Sequence, residues 1–185
     1  INLKPYLPNL NELISFEKHK IIVNYDKNKI DIKGKGKILF KDNFDLINYK
    51  IVKNNNNFAF DTKINLKNNR LLINFLDYEK KENLDSSILI KGNVQNNTSI
   101  NFDLISLIEK NNQISFKNLN LNKEFKITNL DSFNFNYQNN KNIKNKLLLR
   151  KNNSNYTIEG DSFDATNLIN KTMKSDDSNS SLFSD

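Results

Sequence analysis

The chain has 185 residues, 37% of them hydrophobic, a formal net charge of +7 and no cysteine. This length corresponds to one domain or to one segment of a longer protein, and the hydrophobic content is enough for one apolar sheet face. The absence of cysteine excludes disulfides, thiolate metal sites and cysteine nucleophiles.

The opening residues, which include Pro5 and Pro8, predict an irregular lead-in over 1–15. The sequence begins at Ile1, without a Met and without a basic and then apolar leader, so we expect a segment of a longer polypeptide. Its apolar runs are shorter than the roughly 18 to 20 residues that span a bilayer. They have the length of strands.

Apolar and polar side chains alternate along most of the chain, most clearly over 30–40, 58–66 and 133–137. A period of two residues is typical of a strand with one dry face and one wet face. Short interruptions rich in Asn, Lys and Asp separate these stretches, and Asn suits turns because it tolerates a positive φ. The sequence therefore predicts a mostly β protein, with a long antiparallel meander over 16–174 that has one continuous apolar surface.

The predicted strands follow one another at short intervals. Residues 102–110 also fit helical spacing, but the neighbouring strands favour a strand there. About 12 strands, at about 4.8 Å each, would make a sheet roughly 55 to 60 Å wide. The predicted strands are Lys20–Tyr25, Lys29–Phe40, Leu46–Lys53, Phe58–Leu66, Arg70–Tyr78, Ser86–Val94, Ser99–Ile108, Gln113–Leu121, Glu124–Asn129, Ser132–Tyr137, Lys144–Arg150 and Asn155–Gly160.

The pattern changes after Gly160. Asp161 is placed to cap a helix and the residues after it have helical spacing, so we predict a short helix over 162–174. The segment 175–185 contains mainly Ser, Asp and Asn, with little to bury, which is typical of a disordered linker. The apolar face of the predicted helix consists of Phe163, Leu168, Ile169 and Met173.

A sheet of this size needs cover for its dry face. It can fold on itself as a sandwich, or it can curl into an open groove whose dry face is available to an apolar ligand. The dry positions are mostly Ile, Leu and Phe, Trp is absent, and alanine occurs only at Ala59 and Ala165. This composition favours the open groove. A structural or adhesive β-sandwich with no lipid ligand stays the alternative.

Lysine supplies nearly all the positive charge, since arginine occurs only at Arg70 and Arg150. Asn makes up about a fifth of the residues. Asn, Lys and Ile have A/T-rich codons, so a biased genome explains much of this composition. A nucleic-acid surface would cluster its basic residues and favour arginine, whereas these lysines alternate with Asp and Asn. We therefore expect no nucleic-acid partner, and a basic nucleic-acid-binding module is the third hypothesis.

Few residues are candidates for catalysis. His19 is the only histidine and lies between two lysines, where we expect it to be exposed. The glycine pair in 34–36 lacks the third glycine and the following helix of a dinucleotide loop. Helix capping explains Asp161 and Asp164 better than a metal site or an acid–base pair does. We expect no enzyme activity, no catalytic residue, no metal and no cofactor.

The series of amphipathic strands resembles segments of the large AsmA-like proteins of the bacterial envelope, in particular the YhdP-type branch found in A/T-rich alphaproteobacteria. The resemblance rests on Val23–Tyr25, on 30–40 with its Gly-Lys-Gly-Lys run, on 86–92 and above all on 158–165. In that last stretch a strand ends in Gly and an Asp-Ser-Phe-Asp-Ala turn opens a short helix, as these proteins repeatedly do. The likeness in pattern covers nearly the whole chain.

The resemblance implies a repeating β-groove, anchored in the inner membrane and extending through the periplasm. Such proteins are thought to guide phospholipid to the outer membrane without catalysis, with acyl chains in the apolar interior and head groups in water. The implied partners are phospholipid acyl chains, flanking β-groove segments of the same polypeptide, and membranes contacted by parts of the full-length protein outside this segment. The implied localisation is periplasmic.

The dry-face residues are the predicted lining of the groove. Burying one acyl CH₂ against such residues is favourable by about 0.8 kcal/mol, and a uniform lining favours no single position, so a bound lipid can still move. Which strand face points inward is an inference from the sequence. The predicted lipid-binding residues are Ile30, Ile32, Ile38, Phe40, Phe58, Phe60, Ile88, Ile90, Phe133 and Phe135.

Overall fold

The computed structural model describes residues 15–40, 43–96, 98–167 and 169–170. These residues form twelve strands and a one-turn 3-10 helix at Asn74–Leu76. The strands are β1 Ser15–Asp26, β2 Lys29–Phe40, β3 Asn43–Asn54, β4 Asn57–Leu66, β5 Leu71–Ile73, β6 Tyr78–Lys80, β7 Ser86–Gln95, β8 Ser99–Glu109, β9 Asn112–Asn122, β10 Ile127–Gln138, β11 Lys144–Asn152 and β12 Asn155–Ser162.

Ten of these strands form one antiparallel sheet in the order β1-β2-β3-β4-β7-β8-β9-β10-β11-β12. Strands β5 and β6 form a separate hairpin between β4 and β7. Among the described strands, β1 and β12 each pair on one side only and are the two edges of the sheet. Register shifts at four points, as at β-bulges, increase the twist and bend the sheet. The predicted fold class, an open antiparallel meander curled into a groove, is confirmed.

The turns use the residue types that the sequence predicts for them. Asn55, Asn96 and Asn153 have φ values of 53°, 49° and 57° in the connections after β3, β7 and β11. Asn occupies this left-handed region at lower cost than most residues. Residues 102–110, where helical spacing was the alternative, lie almost entirely in strand β8.

Two predicted strands, Glu124–Asn129 and Ser132–Tyr137, are wrong as separate elements. Strand β10 runs through both of them from Ile127. The turn before β10 contains Phe125, with a φ of 60°, and the side chain of Asn122, which accepts two backbone hydrogen bonds of that turn at 3.0 Å. The first of the two patterns therefore belongs partly to a turn.

The predicted strand Arg70–Tyr78 is also wrong. It forms the short strand β5, the 3-10 helix and the start of β6, and Asp77 ends the helix in the left-handed conformation with a φ of 50°. This hairpin leaves the main sheet and covers part of one face, where Leu71, Ile73 and Phe75 pack against the core. Because this segment leaves the sheet and two other strands merge, the sheet is about 45 to 50 Å wide, not 55 to 60 Å.

Strand β12 extends through Ser162, so the helix predicted over 162–174 begins later than expected. Helical backbone is described at 166–167 and 169–170. The final residues of that predicted helix, the predicted linker and nearly all of the predicted lead-in lie outside the described residues.

The helix cap is also different from the prediction. Asp161 lies in β12 and forms an ion pair with Lys146 at 2.7 Å. Asp164 takes the capping position instead, because its carboxylate accepts a hydrogen bond from the backbone amide of Thr166 at 3.1 Å. Hydrogen bonds from Thr166 and then from Lys141 lower the pKa of Asp164 to about 2.

The core lies at one end of the sheet, under the β5–β6 hairpin. We call this the closed end, where segment 67–85, turn 139–143 and residues 163–167 lie against the strands. Ile88 packs against both of the buried clusters found there. The first cluster consists of Leu76, Tyr78, Leu107, Ile114, Phe135 and Tyr137, and the second of Ile38, Ile47 and Ile64.

Two buried charged side chains fix the covering segment: Asp45 joins it to the sheet, and Lys80 joins two parts of the segment to each other. The carboxylate of Asp45 accepts hydrogen bonds from the backbone amides of 67–69 at 2.8 to 3.2 Å. The ammonium group of Lys80 donates to the carbonyl oxygens of Lys67 and Asn69 at 2.6 and 2.7 Å. Asp45 is 2% exposed and Lys80 is 0% exposed. Because buried charges are costly without partners, these bonds fix the path of the segment.

Candidate functional site

The register sorts the side chains of the sheet into two faces, because directly opposed residues of an antiparallel pair lie on the same face. We call the face toward the hairpin the inner face. Its residues form rows that cross the strands, and we number four of them from the closed end. The first row consists of Gly36, Ile47, Ile64, Ile88, Leu107, Ile114, Phe135, Leu147 and Gly160.

The other three rows extend to the opposite end of the sheet, which we call the mouth, where β1–β2, β3–β4, β7–β8, β9–β10 and β11–β12 are joined. The second row is Ile21, Gly34, Tyr49, Thr62, Ile90, Ile105, Phe116, Phe133, Leu149 and Ile158. The third row is Val23, Ile32, Ile51, Phe60, Gly92, Phe102, Leu119 and Leu130. The fourth row is Tyr25, Ile30, Lys53, Phe58, Val94, Ile100, Leu121 and Ile127.

These rows are almost wholly apolar. Only Thr62 in the second row and Lys53 in the fourth interrupt them, apart from the glycines and tyrosines. Only the second row crosses all ten strands. Its first and last residues are about 43 Å apart, because nine inter-strand spacings of about 4.8 Å separate them. The inner face is therefore one continuous apolar surface that runs across the sheet.

Burial of the side chains decreases from the closed end toward the mouth. In the first row, Ile47, Leu107 and Phe135 are 6%, 6% and 5% exposed. The side chains of the second, third and fourth rows are only partly buried or exposed, glycines aside. On the edge strands, Val23 is 59% and Ile158 is 61% exposed. The core clusters include no residue of the third or fourth row. Within the described residues, the segments that pack on the inner face therefore reach only as far as the second row.

Glycines on the inner face make room for large neighbouring side chains. A Cβ at Gly34 would lie 2.0 Å from the ring of Tyr49, and a Cβ at Gly92 would lie 2.9 Å from the ring of Phe60. The ring of Phe60 leans across Gly92 and lies 5.9 Å from the ring of Phe102, edge to face. The glycine pair 34–36 therefore has a packing role in β2 and does not form a dinucleotide loop.

Phenylalanine rings form a second contact group on the strands near β10. Phe133 and Phe135 stack with their ring centres 4.5 Å apart, and Phe116 meets Phe135 edge to face at 5.5 Å. Phe163, which follows β12, stacks on Phe135 at 6.4 Å. This group joins the packed first row to the more open second row.

The ten predicted lining residues all lie on the inner face, but at different depths. Ile38 is buried beyond the first row, and Phe40 packs beside it. The others belong to the first row (Ile88 and Phe135), the second (Ile90 and Phe133), the third (Ile32 and Phe60) and the fourth (Ile30 and Phe58). Ile38 and Phe135, at 4% and 5% exposure, are core residues that a ligand on the open part of the face would not reach.

The predicted lining residues are a minority of the inner face, so sequence reasoning missed most of it. In the second row, for example, Tyr49, Ile105, Phe116 and Leu149 lie beside the predicted residues Ile90 and Phe133. The alternation within each strand marked these residues as candidates for a dry face, but only the register shows which of them share a row.

His19, which we expected to be exposed, is partly buried. Its ring lies over Gly36, 4.8 Å from the ring of Phe16 and 6.0 Å from that of Tyr49. Its Nδ1 lies 3.3 Å from the carbonyl oxygen of Glu17. His19 therefore extends the first row onto β1 as a packing residue.

Polar side chains occupy much of the outer face. Lys50 and Asp31 form an ion pair at 3.6 Å there, and Lys91 and Asp61 form one at 2.9 Å. In the part of the chain that the structure describes, no group of three or more His, Asp or Glu residues is arranged to hold a metal ion. No helix among the described residues is both long and apolar enough to cross a membrane.

Comparisons with protein-family models, with curated proteins and with solved structures give no match.

Proposed function

We propose that this chain is a non-enzymatic segment of an AsmA-like envelope protein, in which the inner face shields the acyl chains of phospholipid during transport between the inner and outer membranes. The observation that carries the proposal is the combination of continuity and exposure in the second, third and fourth rows. Three apolar rows cross the sheet while their side chains stay partly exposed. Exposed apolar surface of this extent marks an interaction site.

The chemistry of the rows suits a mobile hydrocarbon ligand. Each acyl CH₂ that leaves water contributes about 0.8 kcal/mol wherever it lies along a row. Neighbouring positions such as Ile90 and Ile105 offer nearly the same surface, so the free energy changes little when a chain shifts by one strand. The face would hold a lipid without fixing its position, and this behaviour needs no reacting side chain.

The β-sandwich hypothesis receives less support. A sandwich requires a second sheet of similar size packed about 10 Å away on the dry face. In the described residues the second sheet is the two-stranded hairpin β5–β6, and it packs at the closed end. Phe58 and Phe60 in the outer rows stay partly exposed.

The first test is native mass spectrometry of the purified chain, combined with lipid extraction. The proposal predicts co-purifying phospholipid in near-stoichiometric amount. A chain that stays empty after incubation with phospholipid vesicles would contradict it.

The second test separates lining from core. Ile90→Asp places a charge in the second row, and we expect it to reduce lipid crosslinking several-fold while the chain stays folded, because water reaches this position. Ile114→Asp, in the buried first row, should instead unfold the chain. Unfolding by both changes would mean that the second row is an ordinary core.

A further inference from the structure

The two ends of the sheet differ in charge as well as in burial. Five connections meet at the mouth, and with the adjoining strand ends they contain seven basic and two acidic residues. In a meander, alternate connections necessarily lie at the same end of the sheet, so these charges gather along one rim although they are far apart in sequence. The segments counted are 26–29, 53–58, 95–99, 122–127 and 150–156.

The basic side chains of the mouth have few acidic partners. Among the described residues, the one ion pair of this rim joins Lys123 to its neighbour Glu124 at 3.6 Å. Lys27, Lys29 and Lys126 are exposed and make no ion pair within the described part of the chain. The rim therefore carries a net positive charge that is open to an anion.

The closed end contrasts with this rim. Segment 67–85 contains four basic and four acidic residues. Its Arg70 pairs with Glu79 at 2.7 Å. In the nearby turn, Lys141 pairs with Asp164 at 3.1 Å. Charges at the closed end therefore neutralise one another.

Lys53 connects the basic rim to the apolar face. It lies in the fourth row between Ile30 and Phe58, and its Nζ lies 5.6 Å from the centre of the Phe58 ring. A lysine in this position covers apolar surface with its methylene groups and keeps its ammonium group at the water boundary. That boundary is where the head group of a lipid would lie if its chains lay on the rows below.

We propose that the mouth binds the phosphate of an anionic lipid head group, with Lys53 as the contact on the inner face and Lys126 among the surrounding cations. This inference rests on the proposed function and adds a direction to it, since head groups would lie along the mouth and acyl chains would point to the closed end. Charge complementarity carries the argument, because lysines that have no ion-pair partner among the described residues favour a phosphate at this rim, whereas the balanced closed end does not.

The first experiment compares three lipids with identical acyl chains and different head groups. Phosphatidylglycerol, phosphatidylcholine and diacylglycerol are offered at equal concentration in vesicles, and the bound lipids are counted by native mass spectrometry. We expect phosphatidylglycerol to be enriched over diacylglycerol by about three- to tenfold at low salt. The preference should shrink as salt shortens the Debye length from about 30 Å at 0.01 M to about 8 Å at 0.15 M.

A pair of double variants locates the preference. Lys53→Glu with Lys126→Glu should abolish the enrichment of phosphatidylglycerol. Lys33→Glu with Lys63→Glu changes the net charge equally on exposed outer-face positions and should leave the enrichment unchanged. Equal loss in both double variants would overturn the proposal, since net charge alone would then explain it.

Labels on the cysteine-free chain test the direction. A dye at Asn56→Cys marks the mouth and a dye at Asn111→Cys marks the closed end, and a quencher is attached to the lipid head group. We expect quenching of the dye at residue 56 to be at least severalfold stronger. Stronger quenching at residue 111 would overturn the inference.

The outcomes separate this inference from the proposed function. If no lipid of any class binds, both proposals fail. If all three lipids bind equally, the apolar face binds lipid and only the head-group site is wrong. Salt-sensitive binding of DNA by the mouth lysines, with no preference among lipids, would also overturn the inference in favour of a nucleic-acid surface.

Discussion

The closed end and the mouth are built from the same ten strands, yet they differ in what covers them. At the closed end, segment 67–85 covers the first row, and its buried Tyr78 packs with Tyr137 at 5.6 Å. At the mouth, the third and fourth rows have a similar apolar composition and no part in the core clusters. The comparison teaches that the segments packed on the sheet, and not the sheet itself, decide which part of the apolar face is core and which part stays open.

The two ends also differ in the interactions that stabilise the fold. Packed rings, paired charges and the hydrogen bonds of Asp45 stabilise the closed end. The mouth has partly exposed apolar side chains, and most of its lysines form no ion pair with the described residues, so these groups add little to stability. We therefore expect changes at the closed end to affect folding and changes at the mouth to affect ligand binding.

We expect the largest loss of stability when a buried aromatic side chain is truncated to alanine. Phe135→Ala should lower the free energy of unfolding by about 3 to 5 kcal/mol, since it leaves a cavity among Phe116, Phe133 and Phe163. Phe58→Ala, the matched change at the mouth, should cost about 1 kcal/mol because that ring is partly in water. Urea unfolding measures both, and equal costs would remove the distinction between the two ends.

We expect a smaller loss of stability when segment 67–85 loses its hydrogen bonds to Asp45. Asp45→Ala leaves the backbone amides of 67–69 without their acceptor, and that of Asn69 is buried, so the change should cost about 2 to 3 kcal/mol. Hydrogen exchange at those amides should become much faster. Asp61→Ala removes a solvent-exposed ion pair with Lys91 and should cost less than about 1 kcal/mol. Unchanged exchange at 67–69 in the first variant would show that the segment is held in another way.

Alkaline pH should weaken the closed end specifically. Burial, and then the hydrogen bond to Glu109, raises the pKa of Tyr78 above its ordinary value of 10.0. Because the pKa is raised in the folded state, the contribution of Tyr78 to the free energy of unfolding is complete below about pH 10 and is lost as the pH rises further. Urea unfolding from pH 9 to pH 11 should show this decline, and Tyr78→Phe should make it shallower. An identical slope in the variant would contradict the assignment to Tyr78.

The smallest effect is expected in acid, at the residues that follow β12. Hydrogen bonds from Thr166 and Lys141 lower the pKa of Asp164 from an ordinary value of 3.8 to about 2. Because the pKa is lowered in the folded state, the contribution of Asp164 to the free energy of unfolding is present above about pH 4 and is lost as the pH falls toward 2. Asp164→Asn should remove this part of the pH dependence. The matched change Asp161→Asn, at an exposed ion pair, should leave it in place.

The strands and the shared face could be predicted from the sequence because both depend on local alternation. β2 begins and ends as predicted, at Lys29 and Phe40, since its pattern is regular and turns flank it. The ten predicted lining residues share one face because strand pairing without a slip preserves the alternation.

The covering hairpin could not be predicted in the same way. Residues 70–78 are a dense apolar run with the length of a strand. Such a run does not say whether the segment stays in the sheet or folds across it. The anchors Asp45 and Lys80 are charged residues at positions that local patterns assign to water, and only tertiary contacts bury them. For the same reason the sequence could not separate Phe135, in the core, from Phe133, at its border.

The central claim is that acyl chains lie on the open rows of the inner face, and photo-crosslinking at adjacent residues tests it most directly. A photoreactive phenylalanine analogue replaces Phe60, on the inner face, or Asp61, the next residue, on the outer face. The same pair is made at Phe133 and Asn134. We predict strong crosslinks to bound phospholipid at Phe60 and Phe133 and weak ones at Asp61 and Asn134. Equal crosslinking on both faces, or none on the inner face, would contradict the account.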